Sequence, residues 1–189
     1  DPNTKIYNDL ENLQDNALAV AARLGHNEVF VILIDNGADI TEAFHVAASK
    51  GQADIVADLL DRGVDINDQE KGEDRMTALM TATKLGHEEV FHLLIEKGAD
   101  MNLQSNEENT ALDYSLFDVW PGSVKSDTYF TTLLERGADV GVKNSKGNTI
   151  LHNLSYCRDG CDKYYQALLD HGANINEKVR KTFFSMLHN

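Results

Sequence analysis

Two kinds of apolar segment alternate along the chain, and both have the period of a helix. One kind is short and rich in alanine, as at Ala17-Leu18-Ala19-Val20-Ala21-Ala22, Ala43-Phe44-His45-Val46-Ala47-Ala48 and Thr77-Ala78-Leu79-Met80-Thr81-Ala82. Small residues at i and i+3 or i+4 let a neighbouring helix approach closely. The other kind is amphipathic. Between Glu88 and Lys97, Val90, Leu93 and Leu94 share one face while charged residues take the opposite one. Glycine punctuates both: Gly25, Gly51 and Gly86 follow the alanine-rich segments, and Gly98 follows the amphipathic one. A left-handed cap needs a residue without Cβ, so each glycine predicts a helix end.

The punctuation repeats. A Gly, a small residue, Asp or Asn and an aliphatic recur at Gly37-Ala38-Asp39-Ile40, Gly63-Val64-Asp65-Ile66, Gly98-Ala99-Asp100-Met101, Gly137-Ala138-Asp139-Val140 and Gly172-Ala173-Asn174-Ile175. The steps between these glycines are 26, 35, 39 and 35 residues. The Asp or Asn suits a turn, because its side chain accepts local backbone hydrogen bonds. Neither helix of such a unit buries its apolar face alone, so the units must stack.

These motifs resemble the ankyrin repeat family, whose unit is about 33 residues with a Thr-Pro-Leu-His-x-Ala signature. The resemblance covers roughly residues 15 to 176. It implies an all-α fold: an ankyrin-repeat solenoid of stacked helix-turn-helix pairs joined by β-hairpin fingers. The expected units are 15–40, 41–67, 68–102, 103–141 and 142–176, with 177–189 as a C-terminal capping helix. The signature is incomplete. Ala17, Ala43, Ala78, Ala111 and Ile150 stand at the proline position, the threonine survives at Thr77, Thr110 and Thr149, and the histidine at His45 and His152. Such a threonine can cap its helix.

The irregular steps individualise the chain. Against a unit of about 33 residues the first step is about seven short, so no finger fits between Ile40 and Ala43. The second step is long at residues 68–75, which predicts a longer, mostly acidic finger. The third is long at 119–124, between the helices of unit four, and the fourth at Arg158-Asp159.

The resemblance also implies where a partner protein would bind: the finger tips and the solvent-facing ends of the first helices. Carried over by position, the candidate contacts are Asp74, Met76, Asn106, Glu107, Asn109, Lys146 and Asn148 on the fingers, and Lys84, Phe117, Asp118 and Tyr156 on the helix ends. Phe117 and Tyr156 hold matching places in adjacent units, as aromatic hot spots would. Trp120, the only tryptophan, is either pinned onto the stack or exposed as a further anchor. The function implied is protein binding. The alternative is a targeting or regulatory segment of a larger enzyme or host-directed effector whose catalytic part lies elsewhere.

Composition narrows this further. The formal charge is −14, from 31 acidic and 17 basic residues. That balance opposes nucleic-acid binding, which needs clustered Lys and Arg. It suits a partner with a basic or mixed-charge surface, and it also suits solubility alone. No stretch approaches the roughly 18 apolar residues of a membrane helix. The start, Asp1-Pro2-Asn3, reads as a cut from a longer protein without a signal peptide.

Candidate chemistry is sparse. Cys157 and Cys161, near His152 and His171, have a spacing seen in metal proteins. The stronger reading is two free thiols in an inter-helix loop, with a reducing, intracellular and cytoplasmic setting. His26, His45 and His87 read as loop or cap residues that hydrogen-bond between neighbouring units. No catalytic signature, phosphate loop, cofactor site or metal site is read, and a monomer is expected. The Asp-x-Asn turn also resembles the context in which ankyrin asparagines are hydroxylated, at Asn67, Asn102 and Asn176; turn chemistry alone accounts for the same pattern.

Overall fold

The computed structural model describes residues 17–116, 124–155 and 161–178. Ten helices form five pairs among the described residues: α1 (Ala17–Leu24) with α2 (Asn27–Asp35), α3 (Ile40–Ser49) with α4 (Ala53–Asp61), α5 (Ala78–Leu85) with α6 (Glu88–Glu96), α7 (Ala111–Ser115) with α8 (Val124–Glu135), and α9 (Ile150–Leu154) with α10 (Asp162–Asp170). The first helices pack in series, α1 on α3, α3 on α5, α5 on α7 and α7 on α9. Their alanines make that approach possible: Ala22, Ala47, Ala48, Ala78 and Ala82 are fully buried. The expected insertion at 119–124 falls almost wholly outside the described residues, as does the expected capping helix beyond residue 178.

One leucine in each of units two to five marks the core. Leu59, Leu94, Leu133 and Leu168 are each 0 % exposed, and burying such a side chain is worth about 1.5–3 kcal/mol. The carbonyls of these same leucines accept from the N–H of Val64, Ala99, Ala138 and Ala173, five residues on, at 2.9–3.2 Å. That bond closes the helix through the intervening left-handed glycine. Each turn then repeats one device. The Asp or Asn side chain accepts from the backbone two residues ahead: Asp39 from Thr41, Asp65 from Asn67, Asp100 from Asn102, Asp139 from Gly141 and Asn174 from Asn176, at 2.8–3.0 Å. Asn67 and Asn102 pass the chain on to the next unit, their Oδ1 atoms accepting from the N–H of Asp100 and Asp139, both at 2.8 Å.

There is no finger between units one and two. Ile40 is already the first residue of α3, and Asp39 is its N-cap. The later fingers are tight. Glu70 N–H donates to the Met76 carbonyl, Ser105 to Asn109, and Asn144 to Asn148, at 2.9–3.1 Å. Among the described residues the single β-bridge, between Gln69 and Thr77, lies in the longest of them.

The histidines between units divide. His87 Nε2 donates to the Ser49 carbonyl at 2.8 Å, tying unit three to unit two, and His45 Nε2 meets Asp68 Oδ2 at 2.8 Å. His26 is exposed at the N-terminus of α2 and caps nothing with its side chain. One expectation is corrected. Cys161 is disulfide-bonded, and the only other cysteine of the sequence, Cys157, lies outside the described residues. Two cysteines are too few for a disulfide scaffold, but that is no argument against one bridge closing one loop.

Candidate functional site

The fingers and the exposed flank of the first helices form one face, and hydrogen bonds lace the fingers together. Asn106 N–H donates to the Asp74 carbonyl at 2.8 Å, and its side-chain amide donates to the Glu73 carbonyl. Ser145 Oγ donates to the Glu107 carbonyl at 3.4 Å. Lower down, Gln69 Nε2 donates to the Gln104 carbonyl at 2.7 Å, and Gln104 Nε2 to that of Lys143 at 2.9 Å. Three successive fingers are thereby held in fixed register, a rim whose backbone needs little further ordering to meet a partner.

The candidate contact residues separate by burial. Asp74, Lys84, Asn106, Glu107 and Lys146 are exposed. Met76, Asn109 and Asn148 are not, at 4 %, 7 % and 8 % exposure, which corrects their placement on the finger surface. Each directly precedes an N-cap threonine, and a residue there folds back against its own helix. Phe117, Asp118, Trp120 and Tyr156 lie outside the described residues. Lys84 is held over the face by soft contacts: its Nζ lies 5.4 Å from the centroid of the Tyr114 ring and 3.9 Å from Met76 Sδ. Burial raises the Tyr114 phenol above its ordinary pKa, with a hydrogen bond from the hydroxyl to Ser105 opposing that rise. Tyr114 therefore stays neutral beneath a cation.

In units three to five the third position of the first helix carries a different chemistry each time, all serving the same cap. In α5, Met80 Sδ accepts from the Thr77 N–H at 3.4 Å. In α7, Asp113 Oδ2 accepts from the N–H and the hydroxyl of Thr110, both at 2.9 Å, while its Oδ1 accepts from Asn153 Nδ2 of the next unit at 3.1 Å. Burial pushes the Asp113 carboxyl above its ordinary pKa, and the Thr110 and Asn153 donors pull it back. In α9, His152 Nδ1 accepts from the Thr149 N–H at 3.2 Å and from its hydroxyl at 2.9 Å. His45 holds the matching place in unit two, but Glu42 stands where the threonine would be. Its Nδ1 is buried and has no partner.

The missing finger leaves a cleft of about 420 Å³ between α3 and the first finger. Asp39, Glu42, Asp68 and Glu70 line it together with His45, and one cation, Lys71, stands among them. Sequence reading missed this site. Its signal was the shortfall of about seven residues against the family unit, which reads as surface lost rather than as a concavity gained.

Among the described residues no three His, Cys, Asp or Glu side chains group as a metal site, and no helix is long and apolar enough to cross a membrane. A family model described as ankyrin repeats in three copies matches residues 44–144. No curated protein matches the chain.

Proposed function

The chain belongs to the ankyrin repeat family, whose members are generally protein–protein interaction modules and typically non-catalytic, and from that premise we propose that it binds a partner protein through the concave face of units three to five. The laced fingers carry this reading. They present Asp74, Asn106, Glu107 and Lys146 on a fixed rim, with Lys84 on the helix flank beneath. Mixed charge on a pre-ordered surface selects a partner by complementarity and speeds its encounter. Phe117 and Tyr156 are the proposed aromatic anchors, Asp118 and Trp120 their neighbours, and the partner's complementary surface is basic or mixed in charge. The proposed repeat boundaries are 15–40, 41–67, 68–102, 103–141 and 142–176, closed by a cap at 177–189.

The test is a pair of variant classes measured against the partner recovered by affinity capture. Phe117→Ala and Tyr156→Ala each weaken binding about thirtyfold, equivalent to about 2 kcal/mol, with little change in melting temperature. Lys84→Glu and Glu107→Lys slow association and change its salt dependence. Loss of several degrees of stability in both alanine variants, or binding equal to the parent's in all four, assigns these residues to the core and ends this reading.

A further inference from the structure

Three exposed charges gather around Tyr114 where α5 meets the first two fingers: Asp74, Lys84 and Glu107. None of them makes an ion pair with a described residue. Three cations at the second helices do. Arg62 meets Asp35 and Asp58 at 3.0 and 2.7 Å, Lys97 meets Asp61 at 3.1 Å, and Lys163 meets Asp127 at 2.5 Å. Lys84 is held apart from the carboxylates by neutral neighbours. Its Nζ lies 5.4 Å from the centroid of the Tyr114 ring and 3.9 Å from Met76 Sδ. A ring face and a thioether attract an ammonium without neutralising it, so the charge and its donors remain for an acceptor from outside. The carboxylates are fixed on the fingers. The Asp74 carbonyl accepts from Asn106 N–H at 2.8 Å, tying one tip to the next, and Glu107 Oε2 accepts from Asn109 Nδ2 at 3.1 Å. Taken from the first finger through α5 to the second finger, the face therefore reads negative, positive, negative.

We propose that the concave face recognises an acidic residue flanked by basic residues on the partner protein, Lys84 taking the acidic side chain and Asp74 and Glu107 the basic ones. The inference rests on the protein-binding reading and gives its partner a charge pattern. Opposite signs at neighbouring points select a register as well as a partner, because a slipped or uniformly charged segment brings like charges together. An all-basic segment meets Lys84, and an all-acidic one meets the two fingers.

The probe is a random peptide library displayed on phage and selected against the whole chain. Selected peptides carry Asp or Glu between Lys or Arg residues. Selection on Lys84→Glu replaces the central acidic residue by a basic one, and selection on Glu107→Lys replaces one flanking basic residue by an acidic one. A synthetic peptide of the selected sequence binds Lys84→Met about threefold and Lys84→Glu about tenfold more weakly than the parent, with unchanged circular dichroism. Lys97→Met, at the end of a second helix, binds it as the parent does. No enrichment of this pattern, the same central residue selected by Lys84→Glu, or an equal effect of Lys97→Met overturns the proposal. Hydrogen exchange with the bound peptide tells this failure from that of the concave-face reading. Peptides of another pattern that protect residues 73–76 and 106–109 end the charge pattern alone, whereas peptides that protect only the second helices end both.

Discussion

Gly51 provides a quantitative test of how the units are joined. It closes α3 at φ +70°, and a Cβ built there would lie 2.8 Å from His87 Nδ1 and 3.1 Å from its Cγ. Gly63 closes α4 at φ +92° with nothing within 4 Å of its Cβ position. Gly63→Ala therefore reports the left-handed strain alone, roughly 1–2 kcal/mol, reduced by about 0.4–1 kcal/mol because alanine has less freedom to lose on folding. Gly51→Ala adds a clash with a ring that cannot yield freely, because His87 Nε2 is held by the Ser49 carbonyl at 2.8 Å. Displacing the ring forfeits that bond between units, worth about 1 kcal/mol, together with some packing. The cost of Gly51→Ala is then about 2–3 kcal/mol against about 1 for Gly63→Ala. At about 2–4 °C per kcal/mol for a chain of this size, calorimetry separates the two by several degrees. In a His87→Ala background the clash is gone, and the two glycine substitutions cost the same. Gly25→Ala falls between them, since its neighbour is the flexible amide end of Gln52 at 3.2 Å. Equal costs for Gly51→Ala and Gly63→Ala with His87 present would refute the reasoning.

The Tyr129 hydroxyl is buried without a partner, so Tyr129→Phe removes a desolvated donor while keeping the edge-on contact with Phe91 at 4.7 Å; a gain of about 1 kcal/mol in urea denaturation is expected. Burial alone would raise the Asp127 carboxyl, but bonds from Lys163 at 2.5 Å and from Tyr164 outweigh it and hold the pKa below its ordinary value. A depressed carboxylate stabilises the fold above its unfolded pKa and loses that contribution as pH falls through the folded one. The stability gap between parent and Asp127→Asn is therefore constant at neutral pH, modest for so exposed a pair, and closes below about pH 5. Glu108 holds φ +58° at the place where unit five has Gly147 at φ +76°. Glu108→Gly relieves that strain and leaves thermal stability level or raised, whereas Gly147→Ala lowers it by about 1 kcal/mol.

The fold was legible because its instructions are local. Gly37, Gly63, Gly98, Gly137 and Gly172 each take a left-handed conformation, and the Asp or Asn two residues on turns the chain in every unit. The short first step showed equally well, since a helix that starts at Ile40 leaves no chain from which to build a finger. The site was less legible, because a position on a finger does not say which way its side chain turns. Asp74 and Met76 stand two residues apart, yet the first is exposed and the second buried. The difference arises from the cap at Thr77, whose preceding residue folds under the helix. Met80, Asp113 and His152 have no chemistry in common, and only the structure shows all three completing the same cap. The Cys161 bridge was hidden for another reason: two cysteines at close spacing read as free thiols, or less well as a metal site, and only geometry distinguishes either from a disulfide.

Protein binding on the concave face is tested most directly by a hydrogen-exchange footprint of the chain alone and saturated with its captured partner. Protection is predicted at the finger segments around residues 73–74, 106–107 and 145–146 and along the Lys84 end of α5, with the solvent face of α4, α6 and α10 unchanged. Protection confined to those second helices, with the fingers exchanging as in the free chain, would contradict the account.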